Sequence, residues 1–306
     1  MDRKVDAARK NVLSGRRAGW IGAGKMGAPM ALNLLSAGVD LVVTEPREDQ
    51  RAWLSDQGAT AVDTLAHHAE SPIVFATLPN DDALLEVALG RQGSEGVSLS
   101  EMLRPGAVFV EMSTVSPQAS ETVAKALAAK AIHYLRAPLS GSTAMAEQAS
   151  LTILASGDET AWDAALPFLK AVSAKQLLLG LGEEARYMKL VLNTLVGASS
   201  AILAEALNLG EHGGLSRSDM MKVICESAVA SPLFKYKVDA VVSDDYSSAF
   251  SVAQMMKDFT LISDAARHKE VPLLVNGLIL ELYRAAANAG LSEEDFFSLV
   301  KWHRNL

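Results

Sequence analysis

Apolar positions follow two rhythms along this chain. Between Ala18 and Gly24, Trp20 and Ile21 lead straight into glycines, which predicts a strand ending in a turn. From Ala28 onward Met30, Leu32, Leu34 and Leu35 recur at helical spacing until Gly38, placed where a helix C-terminal glycine is expected. Pro29 is compatible with that helix because it falls in the first turn. Leu41, Val42 and Val43 then read as a second buried strand, and Ile73 to Leu78 and Ala107 to Val110 as later ones, with helices over Ala83 to Leu89 and Pro117 to Ala129. Strand alternating with helix predicts an α/β domain with a doubly wound parallel sheet and right-handed crossovers. After about Leu177 the rhythm changes. Met188, Leu190, Val191, Leu192 and Leu195, and again Leu273 to Tyr283, repeat at helical spacing with few β-branched runs, predicting an all-α C-terminal domain. The boundaries read as an N-terminal arm over 1–17, an α/β domain over 18–178 and a helical domain over 179–306. Neither an internal repeat nor a low-complexity linker marks the join.

Bulk properties narrow the function classes. A chain of 306 residues, 49% hydrophobic, has material for two cored domains. With 28 basic against 36 acidic side chains and a net charge of -8, nothing electrostatic points to nucleic acid or an anionic membrane, which leaves small molecules. The single Cys225 permits no intrachain disulfide and suits a reducing compartment, so a cytoplasmic location is the expectation; the residue itself reads as a small buried hydrophobe. No uninterrupted apolar run approaches the roughly 20 residues that cross a bilayer. The arm carries Arg3, Lys4, Arg9, Lys10, Arg16 and Arg17 without an apolar block, against a secretory signal, and Asp2 and Asp6 are unusual in a transit peptide. It reads as a flexible, solvated segment.

The first chemical motif is Gly22-Ala23-Gly24-Lys25-Met26-Gly27, a G-x-G-x-x-G between strand and helix, with Glu45 eighteen positions after Gly27 at the end of the next strand. The first glycine permits a tight turn, the second lets the backbone approach a pyrophosphate, and the third lets helix and strand pack closely. Unpaired N–H groups at the helix N-terminus meet the anion. The glycines alone are a weak signal; with strand, helix and acidic residue in register they indicate a Rossmann-type dinucleotide-binding domain. A carboxylate at Glu45 accepts from a free ribose 2′-OH and repels a 2′-phosphate, favouring NAD over NADP. Arg47 could meet a phosphate if Glu45 turned away, so NADP stays open.

The run Ile21 to Leu34, IGAGKMGAPMALNL, resembles the opening signature of the β-hydroxyacid dehydrogenase family, within the 6-phosphogluconate dehydrogenase superfamily, whose members include 3-hydroxyisobutyrate dehydrogenase and the glyoxylate/succinic semialdehyde reductases. The resemblance continues through Leu78-Pro79-Asn80, Ser113-Thr114, Ala137 to Gly141, Lys189 with Asn193, and Lys257-Asp258, nearly the whole chain after the arm. It implies a cofactor-side role for Gly22, Gly24, Lys25, Met26, Gly27, Leu78, Pro79, Asn80 and Ser113 or Thr114, with Lys257 on the nicotinamide side. Ser140, Gly141 and Ser142 are implied to bind the substrate carboxylate, and Lys189 to be the general acid/base on a long connecting helix shared with Asn193. A homodimer or homotetramer pairing through the helical domains is also implied.

Residue chemistry bears on the same positions independently. Lys189 and Asn193, four apart, share a helical face and could hold one oxygen. Hydride transfer to an aldehyde makes an alkoxide, which a lysine ammonium stabilises and protonates. The plain alternative for Lys189, flanked by Met188 and Leu190, is a snorkelling surface residue. Against the family pattern stand Arg136 and Glu111, each where Asp is usual, Ser142 for a second Gly, and Ala185 for a glycine. Arg136 reads as pointing to solvent, with a second substrate carboxylate as its other option. His67-His68 reads as a solvent-facing pair with no partner at metal spacing, and no metal site is proposed. Ser231 to Lys235 resembles the semialdehyde-reductase branch and tilts the substrate towards glyoxylate or a short semialdehyde acid. Rival readings are imine reduction on the same scaffold, where the lysine is commonly replaced, and a catalytically silent nucleotide-binding module.

Overall fold

The computed structural model describes residues 13–90 and 98–304. Strand β1 (Arg17–Ile21) enters the glycine loop and helix α1 (Gly27–Ser36), followed by β2 (Asp40–Thr44), α2 (Glu48–Asp56) and β3 (Thr60–Val62). Next come β4 (Ile73–Ala76), α3 (Asp81–Leu89), α4 (Leu99–Met102), β5 (Val108–Glu111), α5 (Pro117–Ala128) and β6 (His133–Arg136). The sheet runs β3-β2-β1-β4-β5-β6 in parallel register, so its order reverses between β1 and β4. A mixed extension follows: β7 (Leu139–Ser140), α6 (Thr143–Glu147), β8 (Leu151–Gly157), α7 (Glu159–Val172) and β9 (Ser173–Leu178), in which β8 is antiparallel to β6 and β7 and parallel to β9.

Burial on both faces explains why these strands read as unbroken apolar runs rather than alternating ones. Trp20, Phe75, Val110 and Leu135 pack on one side with Met30 and Leu34 of α1 and Phe168 of α7, and Trp20 stacks on Phe75 at 5.6 Å between centroids. Ile21, Val74, Ala76 and Phe109 pack on the other with Leu84 of α3 and Val123 and Leu127 of α5. The caps are equally local: Ser116, Asp158 and Asn80 accept from the third residue beyond them to start α5, α7 and α3, and Gly38 takes a positive φ just after α1.

Two expectations need correcting here. Residues 1–12 of the expected arm lie outside the described residues, but Leu13 is buried in the core, its N–H donates to Ala37 O at 2.9 Å, and β1 already begins at Arg17. A basic segment hid an apolar anchor. His67 is exposed but His68 is fully buried, so the pair does not face solvent together.

Contacts divide the chain into units Met1–Lys189 and Leu190–Leu306. Helix α8 (Glu184–His212) runs through that division, and α9 (Arg217–Glu226), α10 (Pro232–Ser243), α11 (Val252–His268), α12 (Leu274–Ala286) and α13 (Leu299–His303) complete a helical second unit. In it Val252, Met255, Phe259 and Ile262 of α11 are buried beside Ile279, Leu280 and Tyr283 of α12, Phe259 and Tyr283 lying 5.7 Å apart. Helix α8 is apolar and long enough, by length and composition, to cross a membrane. Arg186 and Asn193 are buried on it among polar partners, while Leu195, Ile202 and Leu209 are exposed.

Candidate active site

The glycine loop lies where the strand order reverses, at the carboxyl end of β1, the position at which open parallel sheets bind ligands. Gly22 has a φ of +82°, and a Cβ there would meet Thr77 O at 2.3 Å. Gly27 is excluded from any larger residue by Gly22 O at 2.1 Å and Thr77 Oγ1 at 2.3 Å. Gly24 differs: among the described residues nothing beyond its chain neighbours lies within 4 Å of where its Cβ would be, and it is exposed. The protein itself does not demand a glycine there, which fits a loop kept bare for the approach of a pyrophosphate. Met26 caps α1 without a side-chain hydrogen bond, leaving that helix start to backbone donors. Lys25 is exposed beside them and Met26 half-buried.

Around this loop the neighbouring strand ends converge. Glu45 is almost fully buried, and its carboxylate accepts from Ala23 N–H at 2.9 Å, from Arg47 N–H at 3.2 Å and from Arg47 Nε at 2.8 Å. Burial pushes this carboxyl up, but the Arg47 side chain and the two backbone donors outweigh it and hold it below its usual range. Arg47 also donates to Ala23 O at 3.3 Å, so Glu45 and Arg47 brace the loop together. Thr77, which the motif search missed, donates to Gly22 O at 2.6 Å. Leu78 N–H donates to Ser113 Oγ at 2.6 Å, joining the ends of β4 and β5. Pro79 and Asn80 are exposed, Asn80 being occupied as the cap of α3, and Thr114 is half-buried.

Elsewhere in the first unit, Ser140 ends β7, Gly141 is exposed, and Ser142 Oγ accepts from Met145 N–H at 3.4 Å to start α6. That bond leaves the Ser142 O–H free to donate. Lys189, half-buried, is the last residue of this unit, and Asn193 comes one turn later on α8. In the second unit the buried Asn193 gives Nδ2 to Asp258, itself wholly buried, while Lys257 Nζ lies 3.1 Å from Asp258 Oδ1. A buried acceptor on Nδ2 fixes the Asn193 amide and turns its other atoms away from Asp258.

The expected solvent exposure of Arg136 is overturned. Its side chain is buried, Nε donates to Glu183 Oε1 at 2.7 Å, and its guanidinium carbon sits 4.8 Å from the Tyr134 ring centroid. Next to it lies a buried pair that the sequence reading did not single out, Arg186 with Glu111. The available signal was a second charged residue three positions before Lys189, on the same helix face.

Comparison with known proteins matches the chain in two successive stretches. Residues 17–180 match the family described as the NAD binding domain of 6-phosphogluconate dehydrogenase. Residues 184–303 match the one described as NAD-binding of NADP-dependent 3-hydroxyisobutyrate dehydrogenase. The chain is similar to 2-(hydroxymethyl)glutarate dehydrogenase of Eubacterium barkeri, 32% identical over 93% of this chain and 94% of that one. It is similar to the chloroplastic glyoxylate/succinic semialdehyde reductase 2 of Arabidopsis thaliana, 30% identical over 92% and 78%. Among solved structures, 3-hydroxyisobutyrate dehydrogenase from Salmonella typhimurium superposes with a TM-score of 0.84 at 26% identity, covering 94% of this chain and 99% of that one.

Proposed function

We propose, from the premise that this chain belongs to the β-hydroxyacid dehydrogenase family, that it interconverts a small β-hydroxyacid and its semialdehyde, or a glyoxylate-type aldehyde acid. The carrying observation is one helix that bears Lys189 and, a turn later, an Asn193 whose amide is fixed by the buried Asp258. Gly22, Gly24 and Gly27, the Lys25-Met26 backbone, Glu45, Leu78, Pro79, Asn80, Ser113 and Thr114 hold a nicotinamide dinucleotide, with Lys257 on its nicotinamide side. The bound cofactor supplies or accepts the hydride. Ser140, Gly141 and Ser142 offer hydroxyl and backbone donors to the substrate carboxylate. Asn193 orients the reacting oxygen, and Lys189 donates a proton to it as negative charge develops in the reductive direction, taking it back in the oxidative one. NAD is favoured over NADP because the carboxylate at the end of β2 engages Arg47, the cation best placed for a 2′-phosphate. This reading includes a cytoplasmic enzyme that pairs through its helical unit as a homodimer or homotetramer. The imine-reductase and silent-module readings lose ground because Lys189 and Asn193 are both retained.

The test measures NADH and NADPH oxidation with glyoxylate, succinic semialdehyde, tartronate semialdehyde, methylmalonate semialdehyde and cyclic imines, in the parent and in Lys189→Met. Turnover of a carboxylated aldehyde that drops about 10²- to 10⁴-fold in the variant is the expected result, the range for loss of a general acid. Activity on imines alone, or a variant as fast as the parent, sinks the assignment.

A further inference from the structure

Glu111, Arg136 and Ala185, three of the positions that stand against the family pattern in the sequence, are buried in one region of the first unit. Glu111 and Arg136 are neighbours in register at the ends of β5 and β6, yet they do not pair with each other. Arg136 takes Glu183, just before α8, and Glu111 takes Arg186, in its first turn. Tyr134 separates the pairs: its ring faces Arg136, and its hydroxyl lies 3.2 Å from Arg186 Nη2. Ala185 N–H donates to Ser156 Oγ at 3.2 Å, tying the same turn to β8.

Arg186 is almost completely buried, and all its nitrogens are committed. Nε donates to Ser120 Oγ at 3.3 Å, Nη1 to Ser113 O at 2.8 Å, and Nη2 to Tyr134 OH, Glu111 O and the Glu111 carboxylate. The other oxygen of that carboxylate accepts from Ser113 N–H at 2.8 Å. Glu111 and Arg186 thus hold the backbone N–H and C=O of Ser113, and Ser113 Oγ in turn accepts from Leu78 N–H. A planar guanidinium fork is the side chain suited to such a multipoint grip. Three residues after Arg186 on the same helix face stands Lys189.

We propose that Arg186 is a positioning residue for hydride and proton transfer: with Glu111 it fixes the Leu78 and Ser113 loop ends and the start of the helix carrying Lys189 to one another. It touches neither substrate nor cofactor. Buried pairs are dispensable for stability when replaced together by apolar groups, so their retention has to be judged by a readout other than folding. The proposal rests on Lys189 as the proton donor and on the Leu78 and Ser113 loops as the cofactor side.

The experiment compares Arg186→Lys, Arg186→Met, Glu111→Gln and the double variant Arg186→Met with Glu111→Leu in the full chain. The readouts are kcat and KM on the aldehyde that Lys189→Met identifies, the isotope effect with 4-deuterated cofactor, and amide exchange of the segments holding Leu78 and Ser113. Expected are a kcat loss of about tenfold or more with a smaller change in KM, as for a misplaced reacting group, a larger isotope effect, and faster exchange. Arg186→Lys does not rescue, and the double variant regains the parent's melting temperature without its kcat. Parental kcat in any folded variant with the grip removed overturns the proposal. If Lys189→Met is itself fully active, the functional reading fails instead, and parental amide exchange in the folded variants would separately refute the grip.

Discussion

At the scale of single residues, buried polar groups carry most of the information. Glu45, the carboxylate proposed to choose the cofactor, is turned onto Ala23 N–H and Arg47, so the same side chain also braces the glycine loop. His68 shows the opposite economy. Its Nε2 lies 2.7 Å from Thr44 Oγ1, its Nδ1 has no hydrogen-bond partner among the described residues, and a Cβ on Gly19 would come within 2.3 Å of that Nδ1. Burial above all, with His67 and Arg17 adding repulsion, lowers it from 6.5 to about 4. Because the folded pKa is the lower one, the unfolded chain binds a proton that the folded chain refuses between those values. Stability therefore falls as pH drops from about 6.5 towards 4 and levels off below, a loss of about 3 kcal/mol from this group. Urea unfolding between pH 7.5 and 4.5 should show that slope, and His68→Gln should flatten it; an identical slope in the variant removes His68 as its cause.

At the scale of elements, the glycine loop separates structural need from ligand need. Gly27 lies against backbone and Thr77, so Gly27→Ala forces an overpacked contact and should cost about 1–3 kcal/mol, read as a lowered melting temperature. A Cβ on Gly24 would meet nothing within 4 Å among the described residues, so Gly24→Ala should melt like the parent while binding NADH at least tenfold more weakly by fluorescence titration. Equal melting temperatures and equal affinities for both variants would contradict the cradle. The β1, α1 and β2 unit was legible from sequence because turn glycines, helical spacing and a buried strand are all local signals. The mixed extension from β7 to β9 was not read strand by strand, because its pairing joins distant segments and β9 alternates weakly, with Leu177 and Leu178 exposed.

At the scale of the whole molecule, an apolar stripe on the helical unit stands out. Leu195, Ile202 and Leu209, each seven residues from the next on α8, are 61%, 60% and 77% exposed, and on α12 Leu274, Val275 and Leu278 are 87%, 67% and 64% exposed. A stripe of that spacing suits helix-to-helix association, and a wide exposed apolar surface is a common mark of an interface. Sedimentation should therefore show a dimer or tetramer for the parent and a smaller species for Ile202→Glu with Leu209→Glu. A monomeric parent at micromolar concentration would rule out the paired assembly.

The sequence by itself determined the class of fold, the glycine loop and the family, and it nominated the pair Lys189 and Asn193, because each rests on spacing within a short stretch or on an ordered set of motifs. Tertiary structure alone decided which charges face inward. Arg136 and His68 look solvent-bound in one dimension, since charged and polar residues usually are. Each is buried here against a partner remote in the chain, Glu183 for Arg136 and, at one ring nitrogen, Thr44 for His68. The grip of Arg186 on Glu111 and Ser113 spans over seventy positions. No local pattern encodes such a pairing, because a buried charge is tolerated only where the fold delivers its counter-charge and hydrogen bonds.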